Sequence, residues 1–147
     1  MLEVPGFSYA GEFKGGQFHL LPGWSRKSGV YLWAKEGEPR DVIRVGIACG
    51  AGGLGGRFAL HNRWLRGDFK ADDPREQAVR RFTIEGLGDR AEVWAVVQRE
   101  RPIAAELERL VRAYYGSRLR VDLSVPDSWI KGRMNDWRKS ERPVFGD

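Results

Sequence analysis

The chain has 147 residues, a formal net charge of +5, 31% charged residues and one cysteine. That length points to one domain. Charge density and the lack of any apolar run near the ~20 residues of a spanning helix exclude a membrane protein. The lone cysteine, Cys49, excludes an internal disulfide framework and fits a reducing, cytoplasmic setting.

The positive balance favours a polyanionic partner. Two histidines and one cysteine, far apart, cannot build a structural zinc site. The first residues, Met1-Leu2-Glu3-Val4-Pro5, have neither a basic nor an apolar region, so no signal peptide is expected.

Residues 1–27 are rich in glycine and aromatics (Phe7, Tyr9, Phe13, Phe18, Trp24) and read as an N-terminal extension. Alternation at Phe18-His19-Leu20 suggests a short strand, and Pro22-Gly23 a turn. Val30-Tyr31-Leu32-Trp33 is β-branched and aromatic, as strands prefer. Glu36-Gly37-Glu38-Pro39 is a turn, and Val42 to Ala48 a second, buried strand; together they predict a hairpin with a long loop.

Gly50 to Gly56 is a glycine-rich loop leading into a helix over Arg57 to Arg66. Leu54, Phe58, His61 and Leu65 form its core-facing stripe, and Gly67 stops it. Asp73-Pro74 is an N-cap with proline at the first helical position, opening a helix to about Ile84 that ends near Gly86. Ala91 to Gln98 is a third strand. Pro102 opens a helix to about Tyr115, whose stripe of Ile103, Leu107, Leu110 and Tyr114, with Val111 beside it, is taken to face the sheet. Residues 118–125 read as a short strand or extended arm, and 126–147 as a basic tail carrying Trp129 and Trp137. The order β-β-α-α-β-α predicts an α+β domain with a small three-stranded antiparallel or mixed sheet flanked by helices.

Four features in this order resemble the GIY-YIG nuclease family: Gly29-Val30-Tyr31; Arg44-Val45-Gly46; Leu54, Arg57 and His61 on one helix; and the later helix from Pro102. The likeness spans roughly residues 28–125. It implies a metal-dependent endonuclease acting on DNA or RNA with Mg²⁺ or Mn²⁺. Tyr31 would be the general base, Arg57 the phosphate clamp, His61 the assistant, and a glutamate of the last helix the metal ligand. Two departures stand out. Arg44 occupies the place of the second motif's tyrosine, and the family's late asparagine has no clear counterpart, the only asparagines being Asn62 and Asn135.

The chemistry asks for those residue types. An unperturbed phenol, with a pKa near ~10, is a poor base at neutral pH, and cationic neighbours favour its phenolate. A guanidinium meets phosphate oxygens with a planar fork. The histidine can donate to the phosphate or orient Tyr31. Arg44 can contact phosphate, replace the missing tyrosine, or mark a site that has lost catalysis and only binds nucleic acid. For the metal, the family register falls on Leu107, between Glu106 and Glu108. Helix geometry sets Glu106 on the flank of the apolar stripe and Glu108 further toward solvent, which favours Glu106. One carboxylate plus waters suits Mg²⁺.

Two further readings come from the same stretch of sequence. Gly50-Ala51-Gly52-Gly53-Leu54-Gly55 spells G-x-G-x-x-G between a strand and a helix, a dinucleotide-binding fingerprint. Against it, no apolar strand leads into Asp72 or Asp73, where the acidic partner would fall. Arg63, Arg66 and Lys70, with Lys131, Arg133, Arg138, Lys139 and Arg142 of the tail, interleave with Trp64, Trp129 and Trp137. They can contact phosphates and stack on bases.

Overall fold

The computed structural model describes residues 6–37, 40–67 and 74–115. Five strands, β1 (Ser8–Lys14), β2 (Gln17–Leu20), β3 (Gly29–Lys35), β4 (Asp41–Ala48) and β5 (Arg90–Val97), pair in the order β2-β1-β5-β3-β4. Every neighbouring pair is antiparallel. Three helices, α1 (Gly53–Arg66), α2 (Pro74–Leu87) and α3 (Arg101–Tyr115), complete an α+β architecture. Among the described residues no helix is long and apolar enough to cross a membrane.

The expected three strands are the β5-β3-β4 half of this sheet. The correction is the hairpin β1–β2, which extends the sheet on the far side of β5. Glu12, Lys14 and Gly11 disfavour a strand locally. What makes β1 a strand is its partner: Tyr9 pairs with Trp94 and Phe13 with Ala91, with a shift in register between Tyr9 and Gly11. The short edge strand β2 is held from above by Asn62 of α1. Its amide accepts from the Phe18 backbone N–H at 2.7 Å and donates to the Phe18 carbonyl at 3.2 Å, replacing the neighbour that an edge strand lacks.

Strand alternation divides β3 between two cores. Tyr31 and Trp33 join Phe13, Phe18 and Ile43 under Leu54, Phe58, Trp64 and Leu65 of α1 and Leu87 of α2. Val30, Leu32 and Ala34 face the other way, with Val42, Val45 and Trp94, and meet Ala104 and Val111 of α3. Helices α1 and α2 therefore lie on one face of the sheet and α3 on the opposite face.

The stripe expected on α1 is buried as read: Leu54 (1% exposed), Phe58, His61 and Leu65 all point inward. The helix begins earlier than expected, at Gly53, and ends on Gly67 in the left-handed region at φ 79°. The stripe expected on α3 is displaced. Ala104 and Val111 are buried, whereas Ile103, Leu110 and Tyr114 are exposed. The arm expected at 118–125 and the basic tail at 126–147 lie outside the described residues, as do Lys70 and Asp73.

Candidate active site

The Gly29-Val30-Tyr31 strand and the Arg44-Val45-Gly46 strand are adjacent, with Tyr31 directly opposite Gly46. A β-carbon at position 46 would lie 2.5 Å from the Tyr31 ring and from its hydroxyl. Glycine there makes the room in which the phenol lies. Gly29 answers a second close approach, since a β-carbon there would lie 1.9 Å from the Val96 carbonyl oxygen. Glycine at positions 29 and 46 thus has a steric reason in this chain.

A bulge in β4 shapes the same spot. Trp33 pairs with Arg44 and Ala34 with Val42, leaving Ile43 as the extra residue. Bulges re-aim side chains. Here Ile43 joins the α1-side core, and the Arg44 guanidinium lies 5.6 Å from the centre of the Tyr31 ring and 5.3 Å from that of Trp33. Arg44 is 1% exposed. Of its expected roles, direct phosphate contact is closed to it in this arrangement. It is a buried cation stacked against two aromatic rings.

Helix α1 brings His61 onto Tyr31. The Tyr31 hydroxyl and His61 Nε2 are 2.8 Å apart, a hydrogen bond between residues from different elements. Both side chains are buried, with Tyr31 0% and His61 1% exposed. The His61 ring also meets Trp33 at 5.1 Å and Phe58 at 5.5 Å between centres, which fixes its plane. Burial, then the charges of Arg44 and Arg57, hold the imidazole well below the ordinary histidine pKa, so it is neutral at pH 7. A neutral imidazole carries one N–H. In the tautomer with that proton on Nδ1, the Tyr31 hydroxyl donates to Nε2.

Arg57 lies one turn before His61 and is only partly buried. Its charge reaches the imidazole. Tyr31, His61, Arg44 and Arg57 are therefore gathered on the α1 face, with Arg57 as the member open to solvent. The indole N–H groups of Trp33 and Trp64 are buried nearby with no hydrogen-bond partner among the described residues. Trp64, expected to stack on bases, is 2% exposed and belongs to the core. Arg63 and Arg66 of the same helix do reach the surface.

The glutamates lie elsewhere. Helix α3 packs on the other face of the sheet, and its rotation leaves Glu106 more exposed than Glu108. The Glu106 side chain is 55% exposed and paired with Arg109. The Glu108 side chain is 23% exposed and 3.9 Å from Arg112. The hydrogen bond from Arg109 draws the Glu106 carboxyl below its usual pKa. Among the described residues no group of three or more His, Cys, Asp or Glu side chains is placed to hold a metal ion. Glu106 does not fit as a ligand shared with Tyr31.

The glycine loop is also committed. The first N–H groups of α1 are the usual anion cradle. Here Gly53 donates to the Gly50 carbonyl at 3.0 Å, Leu54 to that of Lys27 at 2.9 Å and Gly55 to that of Ser25 at 2.8 Å. Strands β4 and β5 run in the same direction but β3 lies between them, so the parallel pair of a dinucleotide fold is not formed.

Sequence reasoning missed Trp33, Gly46 as the seat of the phenol, and Asn62 as the clamp on β2. Only Gly46 left a signal, as the last letter of its motif. Comparison with family models, with curated proteins and with solved structures finds no match.

Proposed function

We propose that the chain is an endonuclease of the GIY-YIG kind, hydrolysing DNA phosphodiester bonds at Tyr31, His61 and Arg57. The observation that carries this reading is the 2.8 Å hydrogen bond between the Tyr31 hydroxyl and a neutral His61, with Arg57 one helical turn away. A phenol bonded to a bare imidazole nitrogen can pass its proton there as it takes one from an attacking water. Arg57 meets the phosphoryl oxygens, where negative charge grows. Arg44 and Arg57 oppose a lasting charge on His61, so the proton it receives is held only transiently.

Tyr31 is wholly buried, so a water reaches it only when the side chains above it part. In this reading DNA binding and that opening are one event. Mg²⁺ or Mn²⁺ is the expected cofactor and would neutralise phosphoryl charge when bound. No carboxylate of the described residues fits that role beside Tyr31, so no step is assigned to it.

The second reading is a nucleic-acid-binding module without catalysis. It is favoured by the buried Arg44 in place of a tyrosine and by the glutamates on the opposite face. A dinucleotide-binding role is a distant third, because backbone carbonyls already fill the helix N-terminus.

A plasmid-nicking assay on the full chain, with Mg²⁺ or Mn²⁺ and with EDTA, separates these. Cleavage should fall by roughly 100-fold or more in Arg57→Ala, the usual loss when a transition-state donor is removed. Salt-sensitive DNA binding without nicking would favour the second reading.

A further inference from the structure

Charge is unevenly spread along this chain. Residues 13–35 and 42–67 hold eight lysines and arginines and no aspartate or glutamate. The other residues hold 17 of the 25 cations and all 20 acids, so the whole positive surplus belongs to those two stretches. The first contains the loop between β2 and β3, the second contains α1, and the fold joins them. Leu54 donates to the Lys27 carbonyl at 2.9 Å and Gly55 to that of Ser25 at 2.8 Å. Glycines make the seat. A β-carbon on Gly53, already at φ 58°, would lie 2.8 Å from the Lys27 carbonyl oxygen, and one on Gly55 2.9 Å from that of Ser25. The glycine run that spells a dinucleotide fingerprint thus receives this loop.

We propose that the β2–β3 loop and α1 form one surface for the phosphate backbone of DNA, with Arg26 and Lys27 holding phosphates next to the one at Arg57. This rests on the DNA partner proposed above and adds residues outside the reacting group. Arg26 and Lys27 are exposed and Arg57 partly so. Among the described residues no carboxylate pairs with any of the three. Helical side chains lean toward the N-terminus, so Arg57 leans over the turn that begins at Gly53, where the loop docks. Those two positions are ~6 Å apart along the axis, within two nucleotide steps of ~3.4 Å in a duplex strand. The Lys27 ammonium lies 4.6 Å from the centre of the Trp24 ring, and that ring packs on the core that holds Tyr31. Strand β3 follows directly, so the anchored loop stands beside the proposed site.

Anisotropy of a labelled duplex of about 20 base pairs, titrated with the full chain from about 50 to about 300 mM salt, tests this. The double variant Arg26→Ala/Lys27→Ala should bind on the order of 10- to 100-fold more weakly at about 0.1 M salt. Its slope of log affinity against log salt should be shallower by about 1.8, or about 0.9 for each lost phosphate contact. Arg109→Ala, on the opposite face, should leave the slope unchanged. Gly55→Ala keeps every charge but presses on the Ser25 backbone, and should weaken binding with an unchanged far-UV spectrum. Wild-type affinity and slope in the double variant would overturn the proposal and leave the nuclease reading standing. Binding that weakens as expected, in a chain that never nicks, would uphold it and end the nuclease reading. Poly-glutamate that displaces the duplex as well as unlabelled DNA of equal charge would mark a surface for acidic protein and overturn it. A wild-type chain that binds no DNA would overturn both.

Discussion

The two faces of the sheet are built from the same strands yet use their polar groups differently. On the α1 face, Arg44, His61 and Tyr31 are buried together, bonded or stacked on one another, with Arg57 at the edge. On the α3 face, the buried polar group is Glu92, held by Arg40 at 2.7 Å and by the Trp94 indole N–H at 3.1 Å. There a carboxylate meets a cation, and the pair closes on itself. On the α1 face the charges of Arg44 and Arg57 act on a neutral imidazole that is hydrogen-bonded to a phenol. Cations gathered around groups that can pass a proton mark a candidate functional site. The α3 face instead carries the exposed Ile103 and Leu110 of its helix.

Substitutions can sharpen that contrast. The largest effect should come from the packed helices. Leu54→Ala removes a side chain that is 1% exposed and should lower stability by about 2–5 kcal/mol in urea unfolding. Leu110→Ala, 54% exposed, should stay within about 0.5 kcal/mol at low micromolar concentration. Equal effects would mean that α3 packs through its exposed side.

Gly46→Ala should follow, at about 1–3 kcal/mol, because the added methyl overlaps the Tyr31 ring. It should also weaken the bond between Tyr31 and His61. An unchanged melting temperature would show that the phenol does not lie where the structure has it.

The smallest effect should be in the pH dependence. His61 has a depressed pKa in the folded chain, so below about 6.5 the unfolded chain binds a proton that the folded chain refuses. Stability is therefore expected to fall as pH drops through 6.5 toward 5, by up to about 1.4 kcal/mol per pH unit from this group. His61→Gln should flatten that slope in unfolding experiments across the range. A slope unchanged in the variant would mean that other groups set it.

Much of this was legible before any coordinates. Helix α1 was readable because its four inward positions, Leu54, Phe58, His61 and Leu65, coincide with its only continuous apolar side. The motif spacing likewise brought Tyr31, Arg57 and His61 into one neighbourhood. Helix α3 was misread for a physical reason. Its apolar residues cover a wide arc, and periodicity reports that a helix is amphipathic without saying which part of the arc a sheet will cover. Small Ala104 wins the sheet contact because it allows a close approach, and the larger Ile103 and Leu110 are left outside. That rotation carries Glu106 away from the sheet. Strand β1 was illegible because its glycine, glutamate and lysine gain strand structure only from β5. Arg44 was legible as a departure from the family motif, but its burial under two rings depends on a bulge that leaves no local signal.

The most direct test is the reaction of the phenol itself, with Tyr31→Phe compared with the wild-type chain in plasmid nicking while DNA binding is followed in parallel. Loss of the hydroxyl should lower nicking by at least ~100-fold with binding retained, as removal of a general base does. Nicking by the variant at the wild-type rate, or DNA binding by the wild-type chain with no nicking under any divalent ion, would contradict the assignment of Tyr31 as the reacting group.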